Sequence, residues 1–300
     1  MISVLILVSI SADAASCTAN RAILNADALY CISSGDQEDT VERHSEDGVV
    51  QVVQVPSGLV VPSKSDRPPL VARRARDGGY RLVGLDGHSV ARSAAVPFGS
   101  APGVAFTPNA EVVFIRDRVL IVGDEVASPK GMEALAVRAS GSRLLWLASG
   151  QAGRALLMIS ERREGAWVTM PVGAEMGYVP RFRCSSRWCS WIDSFDRVVT
   201  WSHDEGAQVH RGAPVEVFPH GFGMVVDSRW IGVANVKDRP GKNEIVMWTA
   251  TSEHRIPGVL HDATVRDDRL CLLLGGAENE QGTRKFWTEC LEPEQMGVRP

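Results

Sequence analysis

A small set of acidic, imidazole and guanidinium side chains lies near glycines that precede apolar segments. Carboxylates and imidazoles that converge in a fold can act as general acids and bases or as metal ligands. The candidates for such a site are Glu133, Glu175, Arg181, His220, His261 and Asp262. The alternative is that these residues are polar because they face water, and the sequence favours that alternative. We therefore assign no catalytic residue, no cofactor and no metal.

A second cluster, His203-Asp204-Glu205, follows an apolar segment that ends in Trp201. Adjacent residues in a turn point in different directions, so this spacing predicts a solvated turn rather than a metal site. The sequence contains no G-x-S-x-G nucleophile motif. Gly275-Gly276 is followed by neither a lysine nor a helical segment, which separates it from phosphate-binding loops. No nucleophilic or phosphate chemistry is predicted.

The overall composition is that of a globular protein with a full core. Of the 300 residues, 44% are hydrophobic and 23% are charged, which argues against long disordered stretches. The formal net charge of −4 and the pI near 6.0 provide no overall attraction to nucleic acid. We expect no nucleic-acid partner.

The N-terminus has the features of a secretion signal. The apolar run Ile2 to Ile10 is shorter than the roughly 20 residues that span a bilayer. Ala12-Asp13-Ala14 places small residues at the two positions that signal peptidase reads. Residues 1–15 are therefore expected to be a signal peptide, and the protein to be secreted or periplasmic without a transmembrane segment. A buried first strand and lipid attachment at Cys17 are the alternatives.

The elements that position these residues are short strands. Apolar runs of four to six residues, rich in Val, Leu, Ile and Trp, alternate with Gly, Asp, Ser and Pro. This pattern is typical of strands, and no helical segments separate them, which argues for an all-β fold. One arginine recurs after the turn before a strand at Arg143, Arg187, Arg229 and Arg269, at spacings of 44, 42 and 40 residues.

A period of about 40–45 residues with several short strands per unit is the signature of a β-propeller. The sequence predicts a single all-β propeller over residues 16–292 with four-stranded antiparallel blades. Seven blades are expected and six are the alternative, with residues 293–300 as a frayed tail. The mouth of the central channel then becomes the expected place for the polar candidates. Four tryptophans in apolar runs are expected to pack in the core: Trp146, Trp191, Trp201 and Trp248.

The six cysteines predict disulfides. The sequence lacks the C-x-x-C and H-x-x-x-H spacings of zinc sites, and an even count in an exported chain is typical of a disulfide framework. The repeat pattern pairs cysteines within one unit. Cys184 and Cys189 flank a tight turn, Cys17 and Cys31 bracket the first unit, and Cys271 and Cys290 lie in the last.

Phe106-Thr107-Pro108-Asn109, followed by the strand Val112-Val113-Phe114, resembles the turn and strand of TolB-type, WD40-like β-propellers. Pro180-Arg181-Phe182 through Trp191 is similar in layout, with Cys184-Ser185-Ser186 in place of the Ser-Pro-Asp part of that motif. The resemblance implies the propeller fold and an extracytoplasmic setting. It does not imply a function, because propellers host both enzymes and binding proteins.

The sequence therefore predicts a monomeric binding or interaction module for a protein or glycan partner. The first alternative is a propeller-fold hydrolase or lyase with an acid–base site at the channel mouth. The second is a structural component of a cell-envelope assembly. Two small basic clusters, Arg73-Arg74-Arg76 and Arg162-Arg163, would either meet an anionic partner, such as an acidic glycan or a phospholipid surface, or lie in solvated loops.

Overall fold

The structure is a computed structural model. It describes residues 15–25, 28–45, 48–56, 60–61, 69–74, 80–85, 89–93, 105–107, 111–140, 142–149, 155–176, 182–185, 187–218, 221–237 and 243–296. Nearly all of the regular structure in these ranges is β-strand, as the short apolar runs predict. The strands pair into antiparallel sheets of four.

The first half of the chain forms three of these sheets. Sheet 1 contains β2 (Arg21–Leu24), β3 (Leu29–Ser33), β4 (Glu38–Ser45) and β5 (Gly48–Pro56). Sheet 2 contains β6 (Val60–Val61), β7 (Leu70–Arg74), β8 (Tyr80–Val83) and β9 (Ser89–Ser93). Sheet 3 contains β10 (Ala105–Phe106), β11 (Val112–Arg116), β12 (Val119–Val122) and β13 (Glu125–Val126).

The second half forms four more. Sheet 4 contains β14 (Ala134–Ser140), β15 (Arg143–Ser149), β16 (Ala155–Arg163) and β17 (Ala166–Met176). Sheet 5 contains β18 (Phe182–Cys184), β19 (Trp188–Ile192), β20 (Arg197–Ser202) and β21 (Gly206–Gly212). Sheet 6 contains β22 (Phe222–Val226), β23 (Arg229–Asn235), β24 (Glu244–Trp248) and β25 (Glu253–Pro257). Sheet 7 contains β26 (Val259–Arg266), β27 (Arg269–Gly275), β28 (Arg284–Leu291) and β1 (Ser16–Ala19).

The repeating arginine marks the same place in each of these later sheets. Arg143, Arg229 and Arg269 each open the second strand of a sheet, and Arg187 directly precedes β19. The recurrence therefore reflects a recurring hairpin turn between the first and second strands. Two of these turns place consecutive residues at positive φ, Asp227-Ser228 and Asp267-Asp268, which is the backbone that tight two-residue hairpins need.

The core is divided into apolar clusters that lie between neighbouring sheets. Residues of sheets 3 and 4 share one cluster, built around Val113 and Trp146. Residues of sheets 4 and 5 share the next, which contains Leu145 and Trp191. Burial between stacked sheets explains why the middle strands are apolar on both faces, since each face packs on a neighbour. The prediction that Trp146, Trp191, Trp201 and Trp248 are core residues is confirmed.

The same arrangement continues from the last sheet to the first. Leu29 and Cys31 of sheet 1 pack in one cluster with Leu273 and Phe286 of sheet 7. Strand β1 is the outermost strand of sheet 7, although it is the first strand in sequence, and it pairs antiparallel with β28. The chain therefore forms a β-propeller with four-stranded antiparallel blades, in which the N-terminal strand completes the last sheet.

The C-terminal segment is partly packed. A 3-10 helix spans Pro293–Met296, and Met296 is buried in the cluster between sheets 6 and 7. The prediction of a frayed tail is wrong for these four residues, because Met296 supplies an apolar side chain to that cluster. Residues 297–300 lie outside the described ranges. Among the described residues, no helix has the length and apolar character needed to cross a membrane.

Candidate functional site

The antiparallel order of the strands assigns every connection to one of two faces of the propeller. Connections between the second and third strands of a sheet, and from its fourth strand to the next sheet, lie on one face, which we call the upper face. The remaining connections lie on the lower face. Glu133 directly precedes β14, and His261 and Asp262 lie near the start of β26. Topology therefore places these three candidates toward the upper face.

The other candidates cannot be placed in the same way. Arg181 and His220 lie outside the described residues. Glu175 lies on β17 opposite Leu156, but its side chain is outside the described set.

Asp262 makes a contact between two sheets that are not neighbours in the ring. Its carboxylate forms a salt bridge with Arg183 of β18, so the pair joins sheet 7 to sheet 5 past the first strand of sheet 6. Both side chains are about three-quarters buried, with 24% of each exposed. The guanidinium of Arg183 also lies 4.8 Å from the ring centroid of Phe222, on that intervening strand. First strands of three sheets thus meet at one polar contact.

A register shift in β26 positions this carboxylate. Leu260 pairs with Leu274 and Asp262 pairs with Leu273, so His261 is the extra residue of a β-bulge. A bulge redirects the side chains around it. The His261 ring packs edge-on against Phe286, with ring centroids 5.2 Å apart, and a Cβ on Gly275 would lie 2.2 Å from its Nε2. His261 is therefore packed on its own sheet.

Glu133 is held by a different partner. Its carboxylate accepts a hydrogen bond from Arg118 at 2.5 Å, and both side chains are largely exposed. Arg118 belongs to the turn between β11 and β12 of sheet 3. Two of the three candidate carboxylates, Glu133 and Asp262, are thus each engaged by a separate arginine.

Arginines on the first strands form a recurring contact that the sequence analysis missed. Arg138 of β14 donates through Nε to the carbonyl of Phe182 in sheet 5, at 3.0 Å. Arg266 of β26 donates through Nη2 to the carbonyl of Asn25 in sheet 1, at 3.2 Å. Arg183 reaches sheet 6 and sheet 7. The only available sequence signal was the position of these arginines on apolar first strands. The prediction named Arg181, which lies two residues before Arg183.

The three predicted cysteine pairs lie at disulfide distance. Cys184 and Cys189 are direct cross-strand partners in β18 and β19, and Cys271 and Cys290 are partners in β27 and β28. The third pair, Cys17 and Cys31, was predicted to lie within one repeat unit, but its two cysteines belong to different sheets. Cys17 lies on β1 in sheet 7 and Cys31 on β3 in sheet 1, so this bond joins two sheets instead of enclosing one unit. A sulfur bonded to Cys31 is also not available for lipid attachment at Cys17.

The remaining polar clusters lie in an exposed turn or pair with acidic residues. His203, Asp204 and Glu205 are exposed in the turn between β20 and β21, in agreement with the prediction of a solvated turn. Arg162 donates to Glu125 at 2.6 Å, and Arg163 pairs with Glu161. The Arg162-Arg163 pair is thus engaged with acidic residues. Within the described ranges, no group of three or more His, Cys, Asp or Glu side chains is arranged to hold a metal ion.

Among the described residues, two phenylalanine side chains are exposed on the upper face, and the sequence analysis did not single them out. Phe195 lies in the turn between β19 and β20 and is 73% exposed, and Phe218 lies in the connection from sheet 5 to sheet 6 and is 47% exposed. We call these two residues the phenylalanine rim. Ala213 N donates to Asp196 O at 2.8 Å, which joins the Phe195 turn to the start of the connection that carries Phe218, and Phe218 N donates to Asn235 O of sheet 6 at 2.9 Å.

Local hydrogen bonds hold the turn that carries Phe195. The Asp193 carboxylate accepts hydrogen bonds from the backbone N–H groups of Phe195 and Arg197, and from the Arg197 guanidinium. Burial raises the pKa of the neighbouring Asp196 carboxyl above its ordinary value, an effect that the nearby charge of Lys237 opposes. The rim therefore combines exposed aromatic area with a rigid polar turn.

Comparison with known proteins supports the fold. No family model matches the sequence, and no curated protein matches it. The solved structures that resemble it include PorZ, described as a surface component of the type-IX secretion system of Porphyromonas gingivalis. That likeness has a TM-score of 0.52 at 12% identity, and it covers 91% of this chain and 38% of PorZ. The chain thus spans less than half of PorZ.

Two further solved structures resemble the chain with TM-scores below 0.5. The WD40 β-propeller domain of Doa1 has a TM-score of 0.47 at 9% identity and covers 88% of this chain and 89% of that one. BBS1N, solved in complex with ARL6DN, has a TM-score of 0.49 at 10% identity, with coverage of 94% and 97%. At these identities the likeness to PorZ concerns the fold alone.

Proposed function

We propose that this protein is an interaction module that binds a protein or glycan partner through the upper face of the propeller. The observation that carries the proposal is the phenylalanine rim. Phe195 and Phe218 expose aromatic area to solvent, although large apolar side chains of folded proteins are usually buried. Aromatic residues on a rigid surface are typical anchors of binding sites because they contribute contact area at low entropic cost. A protein partner would bury the two rings in apolar pockets, and a glycan would stack on them.

The contacts of the candidate acid–base residues support binding over hydrolysis or lysis. Asp262 is engaged by Arg183 and Glu133 by Arg118, so each carboxylate already serves a structural contact. An acid–base pair needs two groups within reach of one substrate bond. The role of PorZ as a component of a secretion system is consistent with a third possibility, a structural role in an envelope assembly, which would also use such a surface.

The test is a binding comparison between three purified proteins: wild type, Phe195→Ser/Phe218→Ser, and the control Val52→Ser. Val52 is 58% exposed on the outer strand β5, away from the rim. Each protein is immobilised and exposed to envelope extract and to a glycan array. We expect one protein or glycan to be retained by wild type and by the control, and to be reduced at least about tenfold by the rim variant. Equal retention by all three proteins would contradict the proposal.

We also propose that the chain is exported by cleavage of residues 1–15 and acts as a monomer in an oxidising compartment. Three cysteine pairs at disulfide distance support this compartment, because disulfides persist where thiol reductants are scarce. Mass measurement of the protein recovered from the periplasm or medium would give the mature N-terminus. Light scattering during gel filtration would give the subunit number.

We propose further that the ring has seven blades and belongs with TolB-type propellers. The seven sheets, with apolar clusters between successive sheets and between sheet 7 and sheet 1, support this number. A ring of six is the alternative. An experimental map viewed along the channel would distinguish the two by the number of radial sectors.

A further inference from the structure

We propose that the Cys17–Cys31 disulfide is a redox-sensitive latch that holds the propeller ring closed. This inference concerns how the fold is kept intact and is independent of the proposed binding function. It rests on the position of this bond, which joins the two sheets between which the ring closes.

The strand that completes the last sheet is short, and little of it is buried. β1 pairs with β28 over four residues, from Ser16↔Trp287 to Ala19↔Arg284. Along β1, Ser16 and Thr18 are exposed, Cys17 is half-buried and Ala19 is buried. Of the four side chains of β1, only Ala19 is fully buried in the core and Cys17 is partly buried. A strand at the edge of a sheet with so little burial is expected to open readily.

The disulfide adds an anchor in the interior of the neighbouring sheet. Cys31 is buried at the centre of β3, a strand that pairs on both sides, with β2 and with β4. The Cα atoms of Cys17 and Cys31 are 6.4 Å apart. The bond thus ties the edge strand of sheet 7 to an interior strand of sheet 1, and it keeps β1 beside β28 even when the hydrogen bonds between them open.

The other two disulfides cannot act in this way. Cys184–Cys189 joins two neighbouring strands of sheet 5, and Cys271–Cys290 joins two neighbouring strands of sheet 7. Each crosses one hairpin whose strands already pair in sequence order. Breaking either bond leaves the order of sheets in the ring unchanged.

Reduction would open the latch by thiol–disulfide exchange with a dithiol. The dithiol supplies two electrons and two hydrogens, the Cys17–Cys31 S–S bond breaks, two thiols form, and the dithiol becomes a disulfide. The half-buried position of Cys17 on the outermost strand gives the reductant access to this sulfur. Release of β1 would leave β28 as an unpaired edge, able to accept a strand from another chain.

The test measures amide hydrogen exchange in β28 for Cys17→Ser/Cys31→Ser and for the matched control Cys184→Ser/Cys189→Ser. We expect exchange in β28 to rise at least about tenfold in the first variant, while β23 and β24 of sheet 6 stay protected. The control should leave β28 protected. Equal exchange in β28 for the two variants, or a rise across all sheets at once, overturns the proposal.

A second measurement uses the oxidised wild-type protein, so that it does not depend on the folding of a variant. The protein is treated with increasing dithiothreitol, and the released thiols are alkylated and located by mass spectrometry. We expect Cys17 and Cys31 to be alkylated at the reductant concentration at which exchange in β28 rises. The latch is refuted if these two thiols appear while β28 stays protected, or if they appear only when the whole protein unfolds.

Discussion

Two boundaries between sheets show different ways of holding a propeller together. At the boundary between sheets 5 and 6, the backbone of Gly223 packs against the backbone of Trp191, and Ser190 Oγ donates to Gly223 O at 2.5 Å. At the seam, which we define as β1 and β28 against β2 and β3, a disulfide joins the sheets. Close backbone packing marks the first boundary, and at the second a covalent bond adds to an apolar cluster that both sheets share.

The difference follows from where the strands come from in the sequence. Sheets 5 and 6 are each built from consecutive strands, so the contacts within each sheet are local in sequence. Sheet 7 needs a strand from the other end of the chain, and bringing it there costs loop-closure entropy. A bond between Cys17 and Cys31 holds β1 beside sheet 1, in a position where β28 can pair with it.

The largest effect is expected from Trp191→Ala, at the neighbouring packed boundary between sheets 4 and 5. Trp191 is fully buried between sheets 4 and 5, and removing such a side chain costs about 3–5 kcal/mol of the free energy of unfolding. Urea denaturation under oxidising conditions measures the loss. Trp191→Phe is the control, because the Nε1 of Trp191 is buried without a hydrogen-bond partner in the described structure. A loss as large for phenylalanine as for alanine would contradict this account.

A somewhat smaller effect is expected from Gly223→Ala at the boundary between sheets 5 and 6. A Cβ at this position would lie 2.7 Å from the backbone N and O atoms of Trp191, so the sheets would have to separate. Such overpacking costs about 1–3 kcal/mol. The control is Gly212→Ala, whose Cβ would meet its nearest neighbour, Arg197 Cγ, at 3.5 Å. If thermal unfolding shifts equally for the two variants, the boundary is not closely packed.

The Asp262–Arg183 salt bridge is a third kind of contact between sheets, because it joins sheets 5 and 7 past sheet 6. Its removal shows how much a polar contact contributes beside packing and the disulfide. Asp262→Asn is expected to cost about 1–2 kcal/mol, since it leaves a partly buried guanidinium without its charged partner. A double-mutant cycle with Arg183→Gln should give a coupling energy of about 1 kcal/mol. Additive losses would show that the two side chains do not interact in solution.

The smallest effect is expected from the pH dependence of Glu289→Gln in β28. Burial raises the pKa of this carboxyl. Protonation of Glu289 therefore stabilises the folded wild-type protein relative to the unfolded one. That gain is complete below the ordinary pKa of a glutamate and is lost as pH rises through the raised value. We therefore expect the variant to match wild type in acid and to exceed it slightly at neutral pH.

Glu161→Gln in sheet 4 is the control of opposite sign for this experiment. A hydrogen bond from Arg143 lowers the pKa of Glu161, so its contribution is present above the ordinary pKa and is lost as pH falls through the lowered value. The variant should be less stable than wild type at neutral pH. Thermal unfolding across a pH series measures both variants, and the same sign for both would refute the assignment.

Less of the candidate site than of the fold was visible in the sequence. Glu133, His261 and Asp262 were identified because they follow glycines and precede apolar strands, which topology places on one face. The partner of Asp262 was missed, because Arg183 lies 79 residues earlier on another sheet. Phe195 and Phe218 were missed because exposure depends on how neighbouring segments pack, and an isolated phenylalanine in a sequence carries no sign of it.

The sequence by itself determined the features that depend on neighbours along the chain. Apolar runs and turn residues predicted the strands, the spacing of the arginines predicted a repeating four-stranded unit, and short separations predicted the three cysteine pairs. Only the tertiary structure decided that Cys17 lies in sheet 7 while Cys31 lies in sheet 1. Likewise, it showed Asp262 engaged by Arg183 rather than by its fellow candidates. The physical reason is that these contacts form when distant sheets close into a ring, and local spacing does not encode which sheets meet.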